Sequence, residues 1–344
     1  MTWRHFQSRK RFNSLLWQVL SLLGLLGAII GLSHAQAPAP MPAPRFQYAN
    51  AIDDPLGQQR SLVLDVYGDF AIRGRKVHPA SLQAMLTTGI KLLSGEKDPN
   101  RAWRTYITEK DMVALVFSPV GQREIATPPD VAGALLHCLY EVGFKPDNFM
   151  LVGLERHPPE AQGTRPCKYG WQDNPAEFGA GSDKLAAWLP EVTAIINVPS
   201  LLDDNIIGVR GALANLTWPL VKGPAQFYRN GGDPFLVEIY NLPQVRGKVR
   251  LHIANALRIL YYGGPTVRES YICEHAALIF ATDPVALDRV ALEIIRRSRR
   301  NLTMPPGVNE ILAAPWLDTA YALGLGYNDL NFIDYRRLRH EPQK

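Results

Sequence analysis

The chain has few cysteines, and they are too far apart for the usual cysteine-based cofactor and metal sites. Cys138, Cys167 and Cys273 form no Cys-x-x-Cys pair, the spacing typical of iron–sulfur and structural zinc ligands. We therefore expect this chain alone to hold no iron–sulfur cluster. Cys138 falls on the apolar side of a helical pattern and is predicted to be a core residue. Spacing leaves open whether Cys167 and Cys273 pair.

A large excess of charge is also absent once the N-terminal segment is set aside. The formal net charge of the whole chain is +5. Four of the 37 Lys and Arg residues, and none of the 32 Asp and Glu residues, lie in the first 35 positions, which leaves a balance of +1. A nearly neutral chain offers no electrostatic surface for nucleic acid. We predict no nucleic-acid partner.

The N-terminal segment predicts export. A positive stretch that ends in Arg9-Lys10-Arg11 precedes an apolar run at residues 15–32, and Ser33-His34-Ala35 follows. This order is typical of a secretory signal peptide cut after Ala35, although the run is also long enough for an uncleaved membrane anchor. We expect a periplasmic or otherwise exported protein, either free or anchored to the inner membrane by residues 15–32. The sequence does not decide between general secretion and the twin-arginine route.

The remainder reads as a single α/β domain. Residues 36–45 alternate Pro and Ala and are predicted to form an extended tether, so the domain is placed at residues 46–344. The alternation of short apolar runs with helical patterns predicts a mainly parallel sheet with helices on both faces, preceded by the N-terminal signal or anchor helix. Strands are predicted at 113–117, 149–152, 194–198, 249–253 and 277–281, and helices at 130–142 and 283–300.

Two helix starts and one helix end carry recognisable signals. Thr127 before two prolines and Asp283 before Pro284 are predicted N-caps. The helix that begins after Asp283 ends in a cluster of arginines. We expect this cluster to complement the helix dipole on a solvated face rather than to clamp a phosphate. Its members are Arg296, Arg297, Arg299 and Arg300.

Short motifs follow one another in a distinctive order in the second half of the chain. They are AIINVP at 194–199, SLLDDN at 200–205, GVRGALAN at 208–215, NGGDP at 230–234, GGP at 263–265 and TDPVALD at 282–288. Together they resemble the domain-of-unknown-function 362 family, over about residues 113–329. Some relatives carry ferredoxin-type cysteines and are described as iron–sulfur proteins. Because this chain lacks those cysteines, that property does not carry over.

The chain departs from the family pattern at several positions. Where the family has Lys-Asp-His after the Asn-Val-Pro turn, this chain has Leu202-Asp203-Asp204. Ala214 stands where the family has a lysine, and Asn255 stands where relatives have an aspartate. If that edge binds anions or performs acid–base chemistry in relatives, the resemblance implies that this chain has lost much of that capacity.

The candidate site follows from the general placement of ligands in parallel sheets, at the carboxyl ends of the strands. Asp203 and Asp204 are candidate ligands of a divalent cation such as Ca²⁺ or Mg²⁺, because adjacent carboxylates suit hard cations; ordinary turn and cap roles are the alternative. The predicted ligand-binding residues are Asn197, Asp203, Asp204, Asn205, Asn215 and Asn255.

These observations lead to three functional hypotheses. The first is an exported protein that binds a small molecule, cofactor or protein partner and is not itself a catalyst. The second is a periplasmic enzyme that uses Asp203 and Asp204 with a divalent cation. The third is an accessory subunit of a membrane complex, attached through residues 15–32. The identity of the ligand and the oligomeric state stay open.

Overall fold

The computed structural model describes residues 60–302, 304 and 313–340. The predicted signal or anchor segment and the tether lie outside these residues. Within the described ranges, no helix combines the length and the apolar character needed to cross a membrane.

The elements of the described residues alternate strands and helices. The strands are β1 Ser61–Tyr67, β2 Ile72–Arg73, β3 Lys76–Val77, β4 Val113–Phe117, β5 Phe149–Val152, β6 Trp171–Ala176, β7 Asp183–Ala186, β8 Ala194–Val198, β9 Ser200–Asp204, β10 Gly208–Arg210, β11 Val249–Leu260, β12 Ile272–Ala281 and β13 Ile333–Arg339. The helices are α1 Pro79–Ser94, α2 Pro99–Arg104, α3 Gln122–Ile125, α4 Pro128–Glu141, α5 Ala212–Leu220, α6 Phe235–Asn241, α7 Pro243–Arg246, α8 Pro284–Asn301 and α9 Trp316–Ala322.

The central sheet is mixed and mostly parallel. Its main path runs in the order β13-β1-β12-β11-β8-β4-β5, with β9 beside β11 and β10 beside β9. Strands β11, β8, β4 and β5 are parallel to one another, whereas β12 is antiparallel to both of its neighbours. The reason lies in the connection: residues 261–271 are too few for the helical crossover that a parallel pair requires. The prediction of a mainly parallel α/β sheet is confirmed in this coarser form.

Helices cover both faces of the sheet. Alternate residues of β4 belong to two separate hydrophobic clusters, Ala114 and Val116 to one and Val113 and Leu115 to the other. The first cluster includes residues of α5, α6 and α8, and the second includes residues of α1 and α4. Because both faces are covered, the central strands are buried along their whole length. This explains why the sequence predicts strands β4, β5 and β8 with the bounds that the structure has.

The strands beyond β8 differ from the prediction. No strand was predicted after Pro199, but Ser200–Asp204 form strand β9, which continues beside β11. Strand β11 itself runs to Leu260 rather than ending at residue 253. The long β11 provides backbone partners for both β8 and β9 in turn, which keeps the chain extended beyond Pro199.

Candidate functional site

A cleft of about 800 Å³ opens near the carboxyl ends of β4 and β5. This is the edge of a parallel sheet where ligands usually bind. Basic side chains predominate among its charged residues. The cleft is lined by Arg75, Lys76, Val77, Gln122, Arg123, Ala126, Pro129, Asp130, Glu155 and Arg156. Four of these carry positive charge and two carry negative charge, so the cleft has a positive balance.

The buried amide of Gln122 fixes the floor of the cleft. Its Nε2 donates to the carbonyl oxygens of Ser118, 2.5 Å away, and Gly153, 2.6 Å away. Its Oε1 accepts from the backbone N–H of Glu155 at 2.9 Å. One side chain therefore ties the segment after β4 to the segment after β5. This bridge also holds the backbone that carries Glu155 and Arg156.

A chain of charged groups supports Arg75 at the cleft. Arg75 lies next to strand β3 and donates to the carbonyl oxygen of Arg123. Its Nη1 lies 3.5 Å from Glu269 Oε2. The other oxygen of Glu269 accepts from Arg258, which is almost fully buried and also donates to the carbonyl oxygens of Glu124 and Ile125. Glu269 thus links Arg75 at the cleft to the buried Arg258 in β11.

The start of α4 borders the cleft but does not present an open set of N–H groups. Thr127 is the residue before the helix, as predicted, yet its side chain makes no cap hydrogen bond. Its hydroxyl instead accepts from Nδ2 of Asn255 at 2.7 Å. Pro128 and Pro129 carry no backbone N–H. Two of the first positions of α4 therefore offer the cleft no backbone donor.

Asp130 stands in the first turn of α4 and faces a neighbouring cation. Burial raises the pKa of its carboxyl group, while the charge of Arg156 and a backbone N–H act in the opposite direction. A second carboxylate, that of Glu155, lies 3.7 Å from Nε of Arg123. Each carboxylate of the cleft is therefore near a guanidinium group.

The predicted residues Asn197 and Asn215 meet in a buried polar cluster with His252. Asn215 Nδ2 donates to Asn197 Oδ1 at 2.7 Å and to the carbonyl oxygen of Val116 at 3.1 Å. Asn197 Nδ2 donates to the carbonyl oxygen of Ala212 at 2.8 Å and lies 3.1 Å from Nδ1 of His252. The cluster ties β4, β8, β11 and α5 together beneath the surface.

The geometry of this cluster fixes the proton position on His252. Since Asn197 Oδ1 accepts from Asn215, its Nδ2 must face His252 and donate to Nδ1. The neutral ring then carries its proton on Nε2, which has no hydrogen-bond partner among the described residues. Complete burial lowers the pKa of His252 to about 3. The imidazole is therefore uncharged at neutral pH.

Asn255 lies in the middle of β11 rather than at its end. The side chain is buried; its Nδ2 bonds to Thr127, and its Oδ1 accepts from the N–H of Leu257 at 3.3 Å. The backbone N–H of Asn255 donates to Pro199 at 2.7 Å. In this position Asn255 joins β11 to the turn before α4. The prediction that it ends a strand was wrong because β11 extends seven residues beyond the predicted end.

Asp203 and Asp204 are both buried, and each is paired with an arginine. Asp203 accepts from Arg299 Nη2 at 2.5 Å and from the N–H of Gly264 at 3.0 Å. Burial raises the pKa of Asp203 to about 6, and the charge of Arg299 limits the rise. Asp204 accepts from Arg210 Nε at 2.6 Å. Its other oxygen accepts from the backbone N–H groups of the two residues that follow the exposed Asn205.

These pairs leave no carboxylate oxygen of Asp203 or Asp204 without a protein donor. No group of three or more His, Cys, Asp or Glu side chains within the described residues has the arrangement of a metal site. Both carboxylates thus serve as acceptors that join elements of the fold. In the described part of the chain, the three cysteines are free thiols; Cys138 is buried, as predicted, and burial raises its pKa to about 12.

The positions that depart from the family pattern lie inside the protein. Leu202, Asp204, Ala214 and Asn255 are all buried, and none of them lines the cleft described above. Of the predicted ligand-binding residues, the structure brings Asn197 and Asn215 into direct contact and places Asp203 next to Asp204. Asn205 is exposed and donates its backbone N–H to Gly264 at 3.1 Å. The polar side chains of the predicted site serve mainly to join elements.

The sequence did not predict that Arg210 and Arg299 lie beside Asp204 and Asp203. Arg210 is buried between the rings of Trp218 and Tyr228, with its guanidinium carbon 5.8 Å and 4.9 Å from the ring centroids. Arg299 was expected on a solvated helix face, but its side chain is 9% exposed and pairs with Asp203. The expectation failed because α8 ends against the turn that follows β11, where Arg299 Nε reaches the carbonyl oxygen of Tyr261 at 2.8 Å.

The cleft residues were missed by the sequence prediction. Arg75 and Lys76 precede the region of resemblance, and Arg123 and Arg156 stand in loops or a short helix without a motif. A usable signal was present: Gln122 and Glu155 each follow shortly after a correctly predicted strand, β4 and β5. Since parallel strands end at a common edge, charged residues after both strands are expected to meet.

One segment of the chain matches a known protein family. No curated protein matches the chain. A crystal structure of a Thermotoga maritima protein, a structural genomics target, matches at 12% identity with a TM-score of 0.38 and covers 67% of this chain. The match spans 61% of the Thermotoga chain, less than two thirds of its length. Residues 156–293 match the family described as Domain of unknown function (DUF362), so the chain contains a DUF362 domain.

Proposed function

We propose that the chain is an exported protein that binds a small anionic ligand in the cleft at the carboxyl ends of β4 and β5. The proposal rests on one observation: four cationic side chains and only two carboxylates surround a single cleft of about 800 Å³. That volume suits a small molecule. Because the exported part of the chain is nearly neutral, this local positive balance is a property of the cleft rather than of the whole surface.

The chemistry of the lining favours recognition of oxyanions. Three of the cations are arginines, whose planar guanidinium groups make paired hydrogen bonds to carboxylate or phosphate oxygens. They come from three separate segments, at positions 75, 123 and 156, that line the same cleft. Gln122 holds two of these segments together. The result is a cationic site with a rigid floor.

The same lining supports binding rather than covalent catalysis. Its residues include no serine, threonine, cysteine or histidine, so the lining offers no hydroxyl, thiol or imidazole nucleophile. Lys76, Asp130 and Glu155 are the side chains of the lining with the chemistry to transfer a proton. The buried His252 lies in a separate cluster and is kept neutral by burial. We therefore assign the cleft a holding role.

Titration of the mature protein with inorganic phosphate, followed by calorimetry, tests the proposal. Arg123→Gln and Arg156→Gln should each weaken phosphate binding by about tenfold, because each removes a charge-assisted contact. Arg297→Gln is the matched control: it removes the same charge from an exposed position on α8 outside the cleft. Equal loss in all three variants would show general charge attraction and contradict a specific site, as would the absence of phosphate binding.

The other two hypotheses have less support. A cation bound by Asp203 and Asp204 would have to compete with the arginines and backbone N–H groups that already donate to these carboxylates. An accessory membrane subunit depends on residues 15–32, which lie outside the described residues. N-terminal sequencing of the mature protein and analysis of co-purifying membrane proteins test that role and the proposed export.

A further inference from the structure

The lining of the cleft excludes an apolar ligand. Only Val77, Ala126 and Pro129 contribute apolar side chains, and no aromatic ring is among the lining residues. Sites for apolar molecules are instead lined mainly by hydrophobic and aromatic side chains. The occupant must therefore be a polar molecule that keeps its contacts through charges and hydrogen bonds.

The two carboxylates of the cleft need an explanation beyond anion binding. A site that only attracts an anion gains nothing from Asp130 and Glu155, because like charges repel. Neither carboxylate is remote from the cations: Glu155 lies 3.7 Å from Arg123, and Asp130 interacts with the charge of Arg156. Both also line the same cleft. Acceptors and cations are therefore offered to one ligand side by side.

The position of Glu155 is set by the fold rather than by chance exposure. Its backbone N–H donates to Gln122 Oε1 at 2.9 Å, and Gln122 is itself held by two carbonyl oxygens. Asp130 is similarly fixed in the first turn of α4. Carboxylates held on rigid elements are suited to accept directed hydrogen bonds from hydroxyl groups.

We infer that the ligand of this cleft is an anionic polyhydroxy compound, of the sugar phosphate or sugar acid class. Its phosphate or carboxylate would pair with the arginines, and its hydroxyl groups would donate to Asp130 and Glu155. This inference rests on the proposed function, since it requires an anion site in the same cleft. It adds the second half of the ligand, the part that carries hydroxyl groups.

Calorimetry of the mature protein with four probes tests the inference: inorganic phosphate, glucose 6-phosphate, glucuronate and glucose. We expect one of the two anionic sugars to bind at least about tenfold more tightly than phosphate, because charged hydrogen bonds to hydroxyl groups are added. Preference between glucose 6-phosphate and glucuronate identifies the anionic group. Glucose alone is expected to bind more weakly than either anionic sugar.

Variants connect the preference to the carboxylates. Asp130→Asn and Glu155→Gln should each reduce the ratio of anionic-sugar affinity to phosphate affinity by about fivefold or more. Glu160→Gln, an exposed carboxylate that does not line the cleft, is the control and should leave the ratio unchanged. Thermal unfolding of each variant verifies that it is folded.

The outcomes separate the two proposals. If phosphate binds but neither anionic sugar binds more than twofold tighter, the ligand class is wrong and the anion site stands. If phosphate does not bind, the anion site itself is refuted, and the inference that rests on it fails as well. A ratio that survives both carboxylate substitutions also overturns the inference.

Discussion

Acid sensitivity caused by His252 is the sharpest consequence of the buried polar cluster. The imidazole is fully buried, and burial lowers its pKa to about 3, from an ordinary value of 6.5. Below pH 6.5 the unfolded chain takes up a proton on this residue that the folded chain does not. Folding stability contributed by His252 is therefore complete above pH 6.5 and is lost as the pH falls towards 3.

The magnitude follows from the linkage between proton binding and stability. Each pH unit in this window costs about 1.4 kcal/mol. Between pH 7 and pH 5 the wild-type protein should lose about 2 kcal/mol through His252. His252→Leu removes the titrating group, and it also removes the Nε2 donor that has no partner among the described residues. From pH 7 to pH 5, the free energy of unfolding of the variant should therefore rise by about 2 kcal/mol relative to that of the wild type.

Urea unfolding at pH 5, 6 and 7 measures the stability of both proteins. Leu251→Val is the matched control, because Leu251 is a fully buried neighbour in β11 without an ionisable group. Its difference from the wild type should be the same at each pH. A constant difference between His252→Leu and the wild type would refute the reasoning, since it would mean that folding does not change proton binding at His252.

Three further substitutions test other parts of the structure. Asp288 is buried, its carboxylate accepts from the N–H groups of α5, and burial raises its pKa to about 7. The stability that this group contributes is complete below pH 3.8 and is lost as the pH rises through 7. Asp288→Asn does not titrate. Between pH 4 and pH 8 the free energy of unfolding of the variant, measured with urea, should therefore rise by about 4 kcal/mol relative to that of the wild type. Gln122→Leu should cost about 3 kcal/mol by urea unfolding and weaken phosphate binding in calorimetry, because three backbone groups lose their partner. Asp65 accepts from His275, Tyr335 and Arg337 while fully buried; Asp65→Ala should lower stability by about 3 kcal/mol in the same assay, and an unchanged stability would contradict its structural role.

His252 and Asp288 oppose each other in the pH dependence of the wild-type protein. As the pH falls from 7 to 5, the imidazole destabilises the fold while the protonating carboxyl group stabilises it. Their contributions are of similar size, so the wild-type curve alone would hide both. Only the paired comparison of each variant with the wild type reveals them.

The sequence predicted the parts of the fold that depend on local pattern. Strands β4, β5 and β8 are continuous apolar runs because helices cover both of their faces, and such runs are recognisable without tertiary information. Asp283 caps α8 through the N–H of Ala286 at 2.8 Å, as its position before proline predicts. These signals lie within a few residues of the structure that they determine.

The features that the sequence did not predict depend on residues far apart in the chain. Strand β13 contains several arginines and reads as polar, yet it pairs with β1 from the other end of the described chain. Thr127 was predicted to cap α4, but a side chain from β11 takes its hydroxyl instead. No local pattern contains the information that residues 127 and 255 will meet. Tertiary contact therefore overrides the cap signal.

The candidate site shows the same limit in a different form. The loss of basic residues at positions 202 and 214 suggested a depleted edge, on the assumption that these positions face a ligand. Both are buried in the structure, and buried arginines from α8 and β10 pair with the neighbouring carboxylates. Positions 202 and 214 therefore do not face the cleft, and the residues that stand there do not determine its charge.

The cleft draws most of its lining from residues that precede the DUF362 match. Of its lining residues, only Arg156 falls within residues 156–293. The matched segment contributes instead the buried Arg258 and Glu269, which support Arg75 from behind. Under the proposed function, most residues that would contact the ligand therefore lie at positions 75–155, and the supporting pair lies within the matched domain. Glu269→Gln tests the supporting role: urea unfolding should show lower stability, because the almost fully buried Arg258 loses its ionic partner. An unchanged stability would contradict that role.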